Sequence, residues 1–165
     1  MKYAIIYSST GNTKLLGDKV EEYLKDSSNE LVYCGDTSDK ALDADRIYVG
    51  FWTNKGTADD KTIEFLKKLS NQEVFLYGSA GFGMSEDYFT QIINRIKEII
   101  PQGVKIVGHF MCQGKMQMSV RERYMKMKEE KANIPNIDML IKNFDMALSH
   151  PDENDFENLK NALVK

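Results

Sequence analysis

Residues 8–13 form a cluster of side chains that can bind an anion. They lie between a short apolar run, Tyr3–Tyr7, and a segment of helical periodicity that begins near Lys14. A helix start directs unpaired N–H groups and a partial positive charge at whatever precedes it, so phosphate is favoured there. The cluster adds hydroxyl and amide donors and a glycine that allows close backbone approach. Its members are Ser8, Ser9, Thr10, Gly11, Asn12 and Thr13.

The chemistry of this cluster narrows the class of ligand. It contains no Lys or Arg, so phosphate must be held by neutral donors and the helix dipole. This suits the monophosphate of a larger cofactor better than a triphosphate, which needs lysine and magnesium. The sequence Gly-x-x-x-x-Gly-Lys-Ser/Thr is absent from the chain, which argues against nucleotide hydrolysis.

Composition sets further limits on the function. The chain has 165 residues, 42% of them hydrophobic, and a net charge of −3. No apolar run approaches the roughly 20 residues of a membrane helix, and Met1 leads directly into the first strand without a signal peptide. We therefore expect a cytoplasmic protein of one domain, residues 1–165, that binds neither membrane nor nucleic acid. Two cysteines and two histidines, far apart and without Cys-x-x-Cys, predict no metal site.

Strand patterns alternate with helical patterns along the chain. Five short, nearly continuous apolar runs predict buried strands: Tyr3–Tyr7, Leu31–Cys34, Arg46–Phe51, Glu73–Tyr77 and Val104–Met111. Apolar residues at helical spacing between and after them predict helices around residues 16–24, 63–69, 89–100, 137–148 and 156–163. The alternation predicts an α/β fold, a five-stranded parallel sheet with helices on both faces.

In such a sheet the ligand binds at the carboxyl ends of the strands. This places residues 52–60 and 78–87 on the same rim as the 8–13 cluster. The first of these loops carries the single tryptophan, Trp52, and the second carries Phe82 among three glycines. Loops of this composition around a phosphate site suit a flat, mostly uncharged ring joined to a monophosphate.

Residues 8–13 resemble the phosphate loop of the flavodoxin family, Thr/Ser-x-Thr-Gly-x-Thr after the first strand. The resemblance covers most of the chain and implies the flavodoxin strand order 2-1-3-4-5 and FMN as the cofactor. It also implies that the loops after the third and fourth strands sandwich the flavin ring. The residues expected to contact the ring are Trp52, Thr53, Asn54, Lys55, Gly56, Ser79, Ala80, Gly81, Phe82 and Gly83.

The resemblance implies an electron carrier that exchanges single electrons with a protein partner, here a reductase. Gly56 is the candidate for a flexible peptide near the flavin N5. A flavodoxin-fold flavoenzyme is the alternative, either an NAD(P)H-dependent quinone or flavin reductase or a tetrapyrrole oxidoreductase. The absence of Gly-x-Gly-x-x-Gly weakens direct use of a nicotinamide. A receiver-type signalling domain would need an acidic cluster after the first strand, where Tyr7 and two serines stand.

Two features depart from typical flavodoxins, which are strongly acidic around the flavin. Residues 101–135 hold seven basic and three acidic residues, and the segment Gln113–Lys131 is rich in methionine. It forms either a solvated helix packed on the fold or a docking surface for an acidic partner. Lys55 either raises the potential of the flavin by favouring its negatively charged reduced form or points to solvent.

Three further stretches narrow the resemblance: Gly50–Trp52, Cys112–Met116 and Ser149–Asp152. They resemble a short flavodoxin-like branch common in anaerobic bacteria. One member type in that branch accompanies a bilirubin reductase of gut bacteria, so such an accessory role is one expectation for this chain.

Other polar and aromatic residues have structural interpretations. Tyr88 is expected to pack at a helix start. Cys34 and Cys112 end the two edge strands and are expected to be buried, too far apart to pair. The carboxylate pairs 59–60 and 86–87 each precede a helical pattern, where negative charge complements the helix dipole, so no catalytic residue is predicted.

Overall fold

The computed structural model describes residues 1–8, 11–83, 85–130 and 135–164. Its strands are β1 (Lys2–Ile6), β2 (Glu30–Gly35), β3 (Arg46–Asn54), β4 (Thr57–Ala58), β5 (Glu73–Ala80) and β6 (Lys105–Gln113). Its α-helices are α1 (Gly11–Leu24), α2 (Asp60–Leu66), α3 (Glu86–Ile99), α4 (Met118–Glu129), α5 (Ile137–Ala147) and α6 (Glu153–Ala162). A 3-10 helix, Asp39–Asp43, precedes β3.

The parallel sheet has the order β2-β1-β3-β5-β6, which confirms the expected topology, since β5 and β6 are the fourth and fifth long strands. The two-residue strand β4 was not predicted; it pairs antiparallel with the end of β3. The predicted sheet therefore gains a short hairpin, located at its carboxyl edge.

Alternate side chains of the strands enter two separate cores. On one face, Ile6, Val49 and Leu76 pack in a cluster with α2 and α3, including Ile92 and Ile96. On the other face, strand residues pack with side chains of α1 and α6, among them Tyr48, Tyr77, Leu16 and Leu159. Burial of both faces explains why the strands read as nearly continuous apolar runs.

The methionine-rich segment forms α4, which packs beside α5. Arg121 Nε lies 2.8 Å from Asp145 Oδ1, and Lys128 Nζ lies 2.7 Å from Asp138 Oδ1. Carboxylates of α5 thus neutralise two of the cations that make this segment basic. Lys131 lies outside the described residues.

Candidate functional site

The carboxyl edge of the sheet brings the predicted site segments together. Ser8, Trp52 and Asn54 line one cleft of about 300 Å³, together with Asp36 and Thr37 after β2. The Asn12 side chain reaches the segment after β6, where its Nδ2 donates to Lys115 O over 2.9 Å. The main-chain N–H of Gly114, the residue before Lys115, donates to Ala80 O over 2.9 Å. The loops after β1, β3, β5 and β6 therefore share one rim.

The helix start expected to hold phosphate is formed by Gly11. Its φ is +67°, which favours glycine; apart from its chain neighbours and the backbone of its own helix, no atom of the described residues lies within 4 Å of the position a Cβ would take. Thr13 is buried in the first turn of α1, and Ser8 is half-buried. Ser9 and Thr10, also predicted to contact phosphate, lie outside the described residues.

Asn12 offers a test of whether these residues fit FMN. Its Nδ2 is used by Lys115, and its Oδ1 is buried without a hydrogen-bond partner among residues 1–8, 11–83, 85–130 and 135–164. A buried acceptor without a donor is costly, about 1–3 kcal/mol. A hydroxyl of the ribityl chain is the kind of donor that it lacks. Together with the open space beside Gly11, Asn12 makes this corner compatible with FMN.

The second site segment is a hairpin and not an open loop. Strand β3 continues through Asn54, and Lys55 and Gly56 form the two-residue turn to β4 with φ values of 51° and 79°. Positive φ at both positions matches the twist of neighbouring strands. Lys55 is exposed on this turn.

Trp52 presents its side chain at the rim of the sheet. It is 45% exposed, whereas the preceding Phe51 is fully buried. Its backbone is held by Asp59, whose Oδ2 accepts from Trp52 N over 3.3 Å and whose N–H donates to Trp52 O over 3.1 Å. Asp59 also caps α2, accepting from Thr62 N over 3.1 Å. One carboxylate thus fixes both the helix start and the strand that carries Trp52.

The turn is tied to the neighbouring helix by a residue that the sequence did not single out. Arg95 of α3 donates from Nη1 to Gly56 O over 3.0 Å. A Cβ on Gly56 would lie 2.4 Å from the same Nη1, so glycine is needed for this approach as well as for its φ. Asp36 and Thr37, which line the cleft with Ser8, were also missed, because nothing in their local pattern marks them.

The third site segment begins later than the sequence indicated. Ser79 and Ala80 lie in β5 and are almost fully buried, paired in register with Cys112 and Gln113 of β6. Ser79 O accepts from the Thr53 hydroxyl over 2.8 Å, which links the ends of β5 and β3. The chain leaves the sheet at Gly81.

Phe82 follows with its ring exposed. Its side chain is 43% exposed and lines an apolar cleft of about 460 Å³ with Tyr88, Met139 and Met146. Tyr88 lies in the first turn of α3 against Phe89, with 6.5 Å between ring centroids. The two exposed aromatics thus lie at the carboxyl edge of neighbouring strands, Trp52 near the end of β3 and Phe82 just beyond β5.

Burial raises the pKa of three groups near the carboxyl edge. Burial, with Cys34 beside it, raises the pKa of Tyr7 to about 12. Burial also raises the pKa of the Cys34 and Cys112 thiols, so neither is a thiolate at neutral pH. The carboxylates 59, 60, 86 and 87 stand at the starts of α2 and α3, as expected. Tyr7, Cys34 and Cys112 are therefore not ionised nucleophiles at neutral pH.

A group of possible metal ligands lies at the start of α6. Donor atoms of His150, Asp152 and Asp155 lie within 4.8 Å of one another. The two carboxylates form the reciprocal capping box of α6, and His150 Nδ1 lies 2.7 Å from Asp155 Oδ2. Helix capping accounts for this cluster.

Comparison with known proteins agrees with the fold. The profile of the flavodoxin domain matches residues 4–164. The flavodoxin-like domain-containing protein BilS of Clostridium symbiosum is 38% identical, over 99% of this chain and 95% of that protein. Its namesake in Clostridioides difficile is 32% identical, over 100% and 98%. The crystal structure of oxidised flavodoxin 2 from Bacillus cereus aligns with a TM-score of 0.61 and 17% identity, covering 98% of this chain and 94% of that one.

Proposed function

Because this chain belongs to the flavodoxin family, a family of FMN-binding redox proteins, we propose that it carries electrons on FMN to or from a reductase partner. The observation that carries this proposal is the composition of the rim. An open helix start with neutral donors at Gly11 lies at the same edge as two exposed aromatics, Trp52 and Phe82. One ligand with a phosphate at one end and a flat ring at the other would use all three features.

Each feature has a distinct role in holding the cofactor. The helix start and the hydroxyls of Ser8 and Thr13 hold the phosphate, and Asn12 Oδ1 accepts from a ribityl hydroxyl. Trp52 and Phe82 pack against the ring and keep water from its faces, whereas the hairpin and the 81–83 loop supply backbone groups at its edge. When bound, FMN supplies the capacity to accept and release electrons singly or in pairs.

A reductase is the partner that best suits a carrier without its own substrate chemistry. Burial keeps the Tyr7 hydroxyl and the Cys34 thiol at the rim protonated at neutral pH. The stretches Gly50–Trp52, Cys112–Met116 and Ser149–Asp152 resemble a branch in which one member type accompanies a bilirubin reductase. We therefore propose an accessory role beside such a reductase. The helices found among the described residues are all too short or too polar to cross a membrane.

One observation favours a second function, that of a flavoenzyme. The apolar cleft of about 460 Å³ opens beside Phe82 and is lined by Met139, Met146 and Lys142. A quinone, a second flavin or a tetrapyrrole placed there would lie next to the loop that contacts the flavin ring. In that case electrons would pass directly to an organic substrate.

The visible spectrum and anaerobic reduction separate these functions. A yellow protein that NAD(P)H does not reduce supports the carrier, whereas rapid bleaching by NAD(P)H supports the enzyme. A colourless protein that refuses added FMN contradicts both.

Titration of FMN into stripped protein then tests the site. Trp52→Leu and Phe82→Leu should each weaken binding by up to about tenfold, since an aromatic contact is worth about 0.5–1.5 kcal/mol. Leu31→Ala is the matched control, because Leu31 is 38% exposed but lies near the opposite edge of the sheet.

A further inference from the structure

The first peptide group beyond β5 is held from outside its own loop. The carbonyl oxygen of Gly81 accepts two side-chain hydrogen bonds, from Gln113 Nε2 and Asn143 Nδ2, each 3.0 Å long. The same Gln113 Nε2 lies 3.2 Å from Asn143 Oδ1, so the two donors also bond each other. A single carbonyl thus joins the ends of β5 and β6 to the middle of α5.

The surroundings make this arrangement rigid. Gln113 is 5% exposed, and its backbone is in register with Ala80, the last residue of β5. Asn143 is half-buried on α5 and is followed by Phe144, which is fully buried and anchors the helix. Because both donors come from anchored elements, the carbonyl has little freedom to turn.

The glycines of the loop allow these side chains to approach. A Cβ on Gly83 would lie 2.2 Å from Gln113 Cβ, and one on Gly81 would lie 2.5 Å from Met116 Sδ. The backbone of residues 81–83 therefore rests directly on side chains from the end of β6 and the segment after it. Phe82, between these glycines, keeps its ring at the rim.

We propose that Gln113 and Asn143 are positioning residues for the flavin. By fixing the Gly81 carbonyl they hold the 81–83 backbone and the Phe82 ring where FMN packs, and so increase the affinity for FMN. The proposal rests on the proposed function, since it assumes that FMN occupies this rim. It gives α5 a direct role at the site although the helix lies more than 50 residues from Gly81 in sequence.

Two neutral, size-matched variants remove the donors. We expect Gln113→Met and Asn143→Leu each to raise the FMN dissociation constant about threefold to tenfold, the range for one neutral hydrogen bond. The dissociation constant of the double variant should rise by less than the product of the two single increases, because both donors share one acceptor. Asn94→Leu, a matched change at an exposed position of α3, should leave the affinity unchanged.

A second readout needs no flavin. The amide of Phe82 belongs to the same peptide group as the Gly81 carbonyl, so its NMR signal should shift in each variant of the FMN-free protein. If Gln113→Met does not fold, Asn143→Leu at its half-buried position supplies the test. An unmoved Phe82 signal, or unchanged FMN affinity in a wild type that binds FMN, would overturn the positioning role. A wild type that does not bind FMN would overturn the proposed function itself.

Discussion

Replacing Asp59 with alanine should weaken the fold and the FMN site together, because one carboxylate serves both. Its Oδ1 accepts from Thr62 N over 3.1 Å, and its Oδ2 accepts from the Thr62 hydroxyl over 2.9 Å and from Trp52 N over 3.3 Å. Asp59 is 6% exposed and Thr62 is 3% exposed. Water cannot readily replace bonds buried to this degree.

The expected loss follows from these three bonds. Removing a helix N-cap costs about 1 kcal/mol. Leaving the buried Thr62 hydroxyl and the Trp52 N–H without an acceptor adds about 1 kcal/mol each. The free energy of unfolding should therefore fall by about 3 kcal/mol, which lowers Tm by roughly 6–12 °C for a chain of this size. The affinity for FMN should fall by up to about tenfold as Trp52 loses its fixed position.

The assay combines urea denaturation of the FMN-free protein with flavin-fluorescence titration. Asp60→Ala is the matched control, since Asp60 is the exposed neighbour that begins α2 and does not cap it. Asp59→Asn separates the two roles. Its amide oxygen still caps α2, but its amide nitrogen cannot accept from Trp52 N, so most of the stability should remain while FMN binding weakens.

Two results would refute this reasoning. Equal loss of stability in Asp59→Ala and Asp60→Ala would mean that the buried carboxylate does not hold the helix start. Unchanged FMN affinity in Asp59→Ala, despite the lost stability, would mean that the position of Trp52 does not depend on Asp59.

The remaining predictions concern two charged residues. In the folded protein, Arg46 and Lys105 hold the pKa of Glu73 below its ordinary value of 4.5. The stability that these ion pairs contribute is therefore fully present above pH 4.5, and it is lost as the pH falls through the lowered pKa of the folded protein. Glu73→Gln should therefore lower the free energy of unfolding by about 1–3 kcal/mol at pH 7 and by much less at pH 3. Glu64→Gln, which removes an exposed ion pair, should leave the free energy of unfolding nearly unchanged at both pH values. Lys55→Ala should make the reduced flavin harder to form, and an unchanged potential in spectroelectrochemical titration would show that its charge does not reach the flavin.

The sequence predicted those parts of the fold that depend on local pattern. Apolar runs bounded by polar loops located the five long strands, and the parallel arrangement placed their carboxyl ends on one rim. The predicted positions of the strand ends were less accurate. Polar residues such as Thr53 and Ser79 looked like loop residues, yet Thr53 pairs with β4, and Ser79 pairs with β3 and β6 and is buried. The sequence also did not indicate the hairpin turn between β3 and β4, because Lys55 occupies the first turn position, where Asn or Asp is usual.

The residues that hold the site could not be predicted, because their partners are distant in sequence. Arg95 reaches Gly56 across 39 positions, and Asn143 reaches Gly81 across 62. Neither residue belongs to a motif, and each looks like an ordinary polar residue on a helix. Asp59 could be assigned to a helix start from its position, but its bond to Trp52 N required the pairing of β3 and β4.

The two edges of the sheet differ in how polar groups stabilise them. At the amino edge, Glu73 Oε2 lies 2.6 Å from Arg46 Nη2, and Glu73 Oε1 lies 3.0 Å from Lys105 Nζ, while Tyr48 and Arg46 both bind the carbonyl of Val164. At the carboxyl edge, side-chain amides, the Arg95 guanidinium and one capping carboxylate hold the loops, and two aromatics remain exposed. Changes at the amino edge should therefore lower stability equally with and without FMN, whereas changes at the carboxyl edge that weaken FMN binding should lower stability more when FMN is present.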